Sequence, residues 1–416
     1  MNKLKSCDIF CNVIDNYGDV GVCWRLARQL AQEHGLAVRL WVDDLASMQK
    51  LCPEVDMQLA QQHCRGVEVR HWAVLFPEVE PAQLVIEAFA CELPERYVAA
   101  MARQRHKPVW INLEYLSAED WIESCHKLPS PHPRLPLVKY FFFPGFTPQT
   151  GGLLLERDLL ARRAAFQRDS GQQQAFWQSL GMEMPPAATL KISLFAYENA
   201  ALPGLFDAWA TGTQTVLCLV PEGRILPQVR QYFGDAAPMV SPRPLAGVPK
   251  AGNPQSSKLD AELSQGVGER GSYSRGNLTV RVLPFVEQER YDLLLWACDV
   301  NFVRGEDSCV RAQWAARPFI WQIYPQHDAV HWDKLQAFLK LYQASLSPVA
   351  SRAVQDLWRE WNLEGQAGEM WSAFAAAQSE LERHAQDWAR QLAENNLVLN
   401  LLAFCQKIRI IHPLQN

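Results

Sequence analysis

Strand-like and helix-like segments alternate along this chain, and the alternation starts twice. In the first half, apolar runs at 7–14 and 36–42 flank a helical stretch at 20–34, and a short helix falls near 44–51. The runs "VEVRHW", "LVIEAF", "PVWINLEY" and "KYFFFPG" follow as further strands. Strands separated by helical segments imply βαβ units and a mostly parallel sheet covered by helices. A helical stretch from Leu153 to about Leu180 leads into "MEMPPAA", whose proline pair marks a boundary. Then the pattern begins again: strand "TLKISLFAYE", helix "ALPGLFDAWA", strand "TQTVLCLVPEG", helix "LPQVRQYF". It closes with "LTVRVLPFV", "EQERYDLLLWACD", "VNFVR", "SCVRAQWAAR" and "PFIWQIY" as strand, helix, strand, helix and strand. Everything from Asp328 onward reads as helical.

A chain of 416 residues is too long for one ordinary core. The reading is therefore two Rossmann-like α/β domains facing across a cleft, with a C-terminal helical tail. The expected boundaries are 1–184, 185–390 and 391–416, the last helix packing back on the first domain. Ligands of such domains lie beyond the carboxyl ends of the strands, where loops of both halves meet. The tract 241–276, rich in Pro, Gly and Ser and without sustained period, reads as a mobile insertion.

A net charge of −5 leaves no electrostatic footprint for a phosphate backbone, so nucleic acid is not expected as a partner. The eleven cysteines are scattered and form no CxxC pair, which points to reduced thiols without metal or disulfide roles. The N-terminus "MNKLKSCDIF" lacks a signal peptide, and no window of eighteen apolar residues occurs, so a cytoplasmic protein without a membrane partner is expected.

The first strand empties into "IDNYGDVG", placing Asp15 and Asp19 in the turn before a helix. A helix N-terminus normally attracts an anion, and two carboxylates partly cancel its field. The pair better suits a cationic or proton-yielding group than a diphosphate. A purely structural role stays open, with Asp15 satisfying turn backbone and Asp19 capping the helix.

The second turn of interest is "VNFVRGEDSCVRAQWA". Gly305 permits a tight turn, Asp307 and Ser308 are helix-cap residue types, and the amides that follow can hold a phosphate pair beside the fixed charge of Arg304. Glu306 lies between them, placed to bind sugar hydroxyls or orient an attacking group. Phe195 and Tyr197, and Phe285 with Gln288, also fall at strand ends of the second domain, where rings stack and an amide reads a base; core packing serves the rings equally well.

Together, "IDNYGDVGVCWRLARQLA" and "RGEDSCVRAQWAARPFIWQIYPQ", with "LFAYEN" and "LPFVEQERYDLLLWACD" between them, resemble the bacterial elongation factor P arginine rhamnosyltransferases, the EarP family. The resemblance implies a GT-B fold and transfer of rhamnose from dTDP-β-L-rhamnose to an arginine of elongation factor P, with inversion, no required metal or other cofactor, and activation of the factor. By matched motif it implies Asp19 as general base with Asp15 as its partner, and Glu306 as a second essential carboxylate. It also implies donor binding by Asn16, Tyr17, Gly18, Tyr197, Gln288, Arg304, Gly305, Asp307 and Ser308. The 241–276 tract departs from the family in length. Two other classes remain in view: another inverting GT-B transferase with a lipid or small-molecule acceptor, and a non-catalytic nucleotide-sugar-binding protein.

Overall fold

The computed structural model describes residues 3–14, 17–234, 271–324 and 330–411. Its first sheet is built from β1 (Ser6–Cys11), β2 (Ala37–Val42), β3 (Gln61–Cys64), β4 (Val67–His71), β5 (Leu84–Ala88), β6 (Val109–Leu113), β7 (Pro129–Pro131) and β8 (Val138–Phe142). The strand order is β3-β4-β2-β1-β5-β6-β8-β7, parallel except for the two antiparallel edge strands β3 and β7. The short edge strands were not visible in the sequence, because neither carries an apolar run.

Period-two alternation sorts the side chains of this sheet into two cores. Cys7, Ile9 and Cys11 of β1, Leu84 and Ile86 of β5, and Val109 and Ile111 of β6 pack on one face. Phe10, Val85 and Trp110, one register step away, pack on the other with Trp41 and Tyr97. Burial of both faces explains why these strands read as continuous apolar runs. α1 (Gly18–Gln32) and α2 (Leu45–Leu51) cover the first face, and α3 (Glu95–Arg103) supplies Tyr97, Val98 and Met101 to the second.

The second sheet has the order β11-β12-β10-β9-β13-β14, formed by β9 (Leu190–Leu194), β10 (Val216–Pro221), β11 (Ser272–Arg275), β12 (Leu278–Leu283), β13 (Val300–Arg304) and β14 (Phe319–Gln322). All pairs are parallel except β11 with β12. α9 (Gln288–Ala297) and α10 (Gly305–Ala315) follow β12 and β13. In each sheet the chain runs outward one way from the first strand, returns, and runs outward the other way. The switch points lie between β1 and β5 and between β9 and β13.

Three sequence expectations are revised. Residues 272–275 of the expected insertion form the hairpin strand β11, because "SYSR" meets β12 across a turn at Gly276, whose φ is +55. A Cβ there would lie 2.1 Å from the Ala210 carbonyl oxygen, so only glycine fits; residues 241–270 lie outside the described ones. The stretch 153–180 is two helices, α5 (Leu159–Arg168) and α6 (Ser170–Ser179), broken where Asp169 caps the second by accepting from the Gly171 and Gln172 amides. Packing also crosses between cores before the proline pair: Leu155, Leu159, Phe166 and Trp177 belong to the C-terminal core. Prolines mark loops, and a loop need not separate cores.

The helical tail contains α11 (Val330–Tyr342), α12 (Pro348–Asn362), α13 (Ala367–Ala376), α14 (Gln378–Leu392) and α15 (Leu397–Ile411). Leu397, Val398, Leu401, Cys405 and Ile408 of α15 enter the N-terminal core, following helical spacing. The two crossing segments pair where Leu397 N–H donates to the Leu153 carbonyl at 2.9 Å. All eleven cysteines are free thiols, and among the described residues no helix is long and apolar enough to cross a membrane.

Glu156, between β8 and α5, binds a guanidinium from each side. Arg25 of α1 donates to Oε1 at 3.4 Å and Arg311 of α10 to Oε2 at 2.7 Å. Burial alone would raise this carboxyl; Arg311 and Arg25 outweigh it and hold the group down at about 2. The depressed value means that this contribution is present above the unfolded-state carboxylate range near 4.5 and is lost as pH falls from there towards 2. Glu156→Gln is expected to cost about 3 kcal/mol at neutral pH. Urea unfolding followed by tryptophan fluorescence should show the gap to the native protein narrowing as pH drops below about 4.5.

Candidate active site

α1 and α10 start at the carboxyl ends of β1 and β13, each beside its sheet's switch point, and pack against one another. Their close approach needs Gly21, where a Cβ would sit 3.3 Å from Gln288 Nε2 and 3.4 Å from the Asp307 carboxylate. Two cavities open along this seam. The first, of about 640 Å³ including its mouth, is lined by Tyr17, Gly18, Phe195, Tyr197, Phe285, Gln288, Arg304, Gly305, Asp307 and Ser308, among others. The second, of about 720 Å³, is lined by Asp19, Glu306, Phe89, Tyr115, Trp321, Tyr324 and Lys334, among others. Gly18 and Gly305 border both, so the cavities meet where the two helices begin.

The structure thus brings twelve of the residues singled out in the sequence to one seam, ten on the first cavity and Asp19 with Glu306 on the second. Asp15 and Asn16 lie outside the described residues.

Each carboxylate of the second cavity is held by a backbone amide. Asp19 is 3 % exposed, and its Oδ2 accepts from Ile14 N–H at 2.8 Å, fixing the turn that leaves β1. It does not cap α1, whose N-cap is Tyr17 without a side-chain hydrogen bond. Glu306 Oε2 accepts from Leu116 N–H at 3.0 Å. Leu116 follows β6, so an acid in the first turn of α10 is held by backbone that leaves the N-terminal sheet.

In the first cavity Arg304 lies between two rings, its guanidinium carbon 4.5 Å from the centroids of both Phe195 and Tyr197. Tyr17 meets Phe285 edge to face at 5.2 Å, closing that cavity across the domain seam. Ser308 and Asp307 do not cap α10. The helix starts earlier, at Gly305, with Arg304 as N-cap and no side-chain cap. Ser308 Oγ instead accepts from Arg304 N–H at 3.0 Å and donates to the Arg304 carbonyl. The Asp307 carboxylate is taken by Arg25 Nε at 2.8 Å and Gln288 Nε2 at 3.2 Å. Burial pushes the Tyr291 hydroxyl, also on this cavity, far up from its ordinary value, with the Asp307 charge adding to the rise.

Several lining residues escaped sequence reasoning. Phe89 and Tyr115 stack at 4.4 Å on the wall of the second cavity, with the Lys334 ammonium 5.7 Å over the Tyr115 ring. Phe89 and Ala90 hold φ of +56 and +54, a strained pair that sets the Phe89 ring. Phe89 and Tyr115 end "LVIEAF" and "PVWINLEY", so position at a strand's carboxyl end was the available signal. Trp321 carried the same signal near the end of "PFIWQIY", whereas Lys334 carried none. Among the described residues, no three His, Cys, Asp or Glu side chains gather as a metal-ion cluster.

Two doubly wound sheets facing across ligand-sized cavities form the GT-B architecture. Residues 7–406 match the family described as Elongation-Factor P (EF-P) rhamnosyltransferase EarP. The protein-arginine rhamnosyltransferase of Pseudomonas putida is 50% identical over 398 residues, covering 95% of this chain and 97% of that one. The Pseudomonas aeruginosa protein of the same name is 46% identical over 386 residues, covering 93% and 94%. A solved structure, described as the structural basis for EarP-mediated arginine glycosylation of translation elongation factor EF-P, matches with a TM-score of 0.63 and 38% identity over 97% of this chain and 99% of that one. The chain belongs to the EF-P rhamnosyltransferase EarP family.

Gly305 has φ of +59, so Gly305→Ala should destabilise the protein by about 1 kcal/mol, whereas Gly305→Asn, a residue that tolerates left-handed backbone, should cost less. Urea denaturation of the two variants checks the order.

Proposed function

We propose that this chain transfers L-rhamnose from dTDP-β-L-rhamnose to an arginine side chain of elongation factor P, with inversion at the anomeric carbon. One observation carries the reading: Asp19 and Glu306, from different domains, line one cavity that joins a second through Gly18 and Gly305. An acceptor and an activated donor can therefore meet at the seam. The names of the family and its relatives support rhamnose as the sugar and EF-P as the acceptor, and the dTDP carrier is part of the proposal.

A guanidinium keeps its proton near neutrality and is a poor nucleophile. In the second cavity it enters between carboxylates, and charge-assisted hydrogen bonds draw its positive charge away from one nitrogen. That nitrogen attacks the anomeric carbon as the bond from this carbon to the phosphate oxygen breaks, through an oxocarbenium-like transition state. Asp19, oriented by the Ile14 amide, takes the proton that the nitrogen loses. Attack opposite the departing dTDP inverts the carbon. The diphosphate gathers negative charge in the first cavity, where the N-terminal end of α10 and Arg304 meet it. Those positive groups supply the counter-charge in this scheme, and no metal is called on.

Mixing the protein with dTDP-L-rhamnose and elongation factor P should add one deoxyhexose to an arginine peptide of the factor, read by intact mass and fragmentation. An unmodified factor under conditions that saturate both substrates sinks the reading. Asp19→Asn should lower transfer by about 10² to 10⁴-fold while leaving dTDP affinity within a few-fold of native by calorimetry. Near-normal turnover would remove Asp19 as the base.

A further inference from the structure

Arg25 lines neither cavity, yet it fixes a wall of the first one. It is 2 % exposed and sits on α1, the helix that carries Asp19. Its Nε donates to Asp307 Oδ1 at 2.8 Å, and its Nη2 donates to the Gln288 carbonyl at 3.3 Å. Its Nη1 reaches Glu156, so all sides of the guanidinium are engaged. The planar fork matches three acceptors at set angles, which a lysine ammonium cannot do.

Asp307 passes this constraint on. Its Oδ2 accepts from Gln288 Nε2 at 3.2 Å, and the same Nε2 donates to the Gly21 carbonyl at 3.0 Å. With a carboxylate and a carbonyl facing it, the amide nitrogen of Gln288 has one sensible orientation, since the reverse would set Oε1 against two acceptors. Gln288 is 4 % exposed, and its Oε1 is buried without a hydrogen-bond partner in a residue that lines the first cavity. A buried carbonyl oxygen left unpaired is costly, and a ligand hydroxyl or N–H recovers that cost.

We infer that Arg25 is a positioning residue for the donor: through Asp307 it orients the Gln288 amide so that Oε1 accepts a hydrogen bond from a hydroxyl or N–H group of the donor's nucleotide part. This rests on the donor reading given above and assigns the Asp307 carboxylate to the relay instead of to the ligand. Because Arg25 belongs to the domain that carries Asp19, the relay also ties donor binding to the register between the two walls.

A double-mutant cycle on dTDP affinity tests it, using the full chain and titration calorimetry. Arg25→Lys and Gln288→Met should each weaken dTDP about tenfold, and the double variant should lose little more than either one, because both changes break the same relay. In turnover assays the donor KM should rise with the acceptor KM unchanged, a split that general loosening of the fold would not give. Independent effects, about a hundredfold loss in the double variant, overturn the relay. If Arg25→Lys does not fold, Asp307→Asn takes its place. Its amide sets a donor against Gln288 Nε2 and should weaken dTDP to the same extent, again without adding to Gln288→Met. Undiminished dTDP affinity in Asp307→Asn overturns the relay. Failure of the native protein to bind dTDP overturns the donor reading and this inference together, whereas native binding with additive losses overturns this inference alone.

Discussion

A carboxylate held between two guanidiniums is the constraint on which the cleft depends. Glu156 lies on the segment that leaves the first sheet, Arg25 on the first helix of the N-terminal half and Arg311 on the helix after β13. Asp292 of α9 binds Arg311 through both oxygens, at 2.7 and 2.6 Å, and lies 3.6 Å from Arg25. Removing charges like these from water costs several kcal/mol per ion, which only close, well-directed pairing offsets. An apolar seam would join the halves at least as tightly. What the ionic seam adds is direction: guanidinium forks accept only certain angles, so α1 and α10 meet in one register. Arg28 with Glu289, and Arg65 with Glu287 and Glu289, extend it towards the surface, where solvent weakens each pair.

That register matters because both chemically interesting turns sit at switch points. Where strand order reverses, the flanking loops part and leave a crevice. β1 and β13 each end at such a crevice, and fixing α1 against α10 sets the crevices mouth to mouth. Gly18 and Gly305 then become the common border of two cavities. Larger side chains at this border would fill the space where the two cavities meet.

Much of this was legible in the sequence, for identifiable reasons. Buried parallel strands are largely apolar, so "VNFVR" coincides with β13, and a helix-compatible proline in the first turn accompanies "LPQVRQYF", which coincides with α8 (Leu226–Phe233). Turn residues at strand ends are local features, and the two acidic turns stood out for that reason. What stayed hidden was non-local. Nothing near Arg25 announces that its partners lie 131, 263 and 282 positions away. The capping roles of Asp307 and Ser308 were misread because cap propensity is a local rule, and a guanidinium from another domain claims Asp307 first. The strand β11 escaped because its pairing is decided by β12 and by the glycine turn, while its own composition resembles the loop before it.

The division of charge at α10 shows how one turn can serve two opposite tasks. Glu306 and Asp307 both fall in its first turn, where two carboxylates would cancel the positive end of the helix. Asp307 is ion-paired with Arg25, however, a guanidinium it shares with Glu156, and lies on the first cavity, which also holds Arg304 and the Ser308 end of the turn. Glu306 points its charge to the second cavity, beside Asp19. In the proposed scheme the helix end therefore faces the donor's diphosphate on one side, while acid lines the other. Adjacent residues project about 100° apart around a helix, which suffices to send neighbouring carboxylates to different cavities. Exchanging the two roles would need Arg25 to reach Glu306 instead, and the Leu116 amide already holds that carboxylate from the far wall.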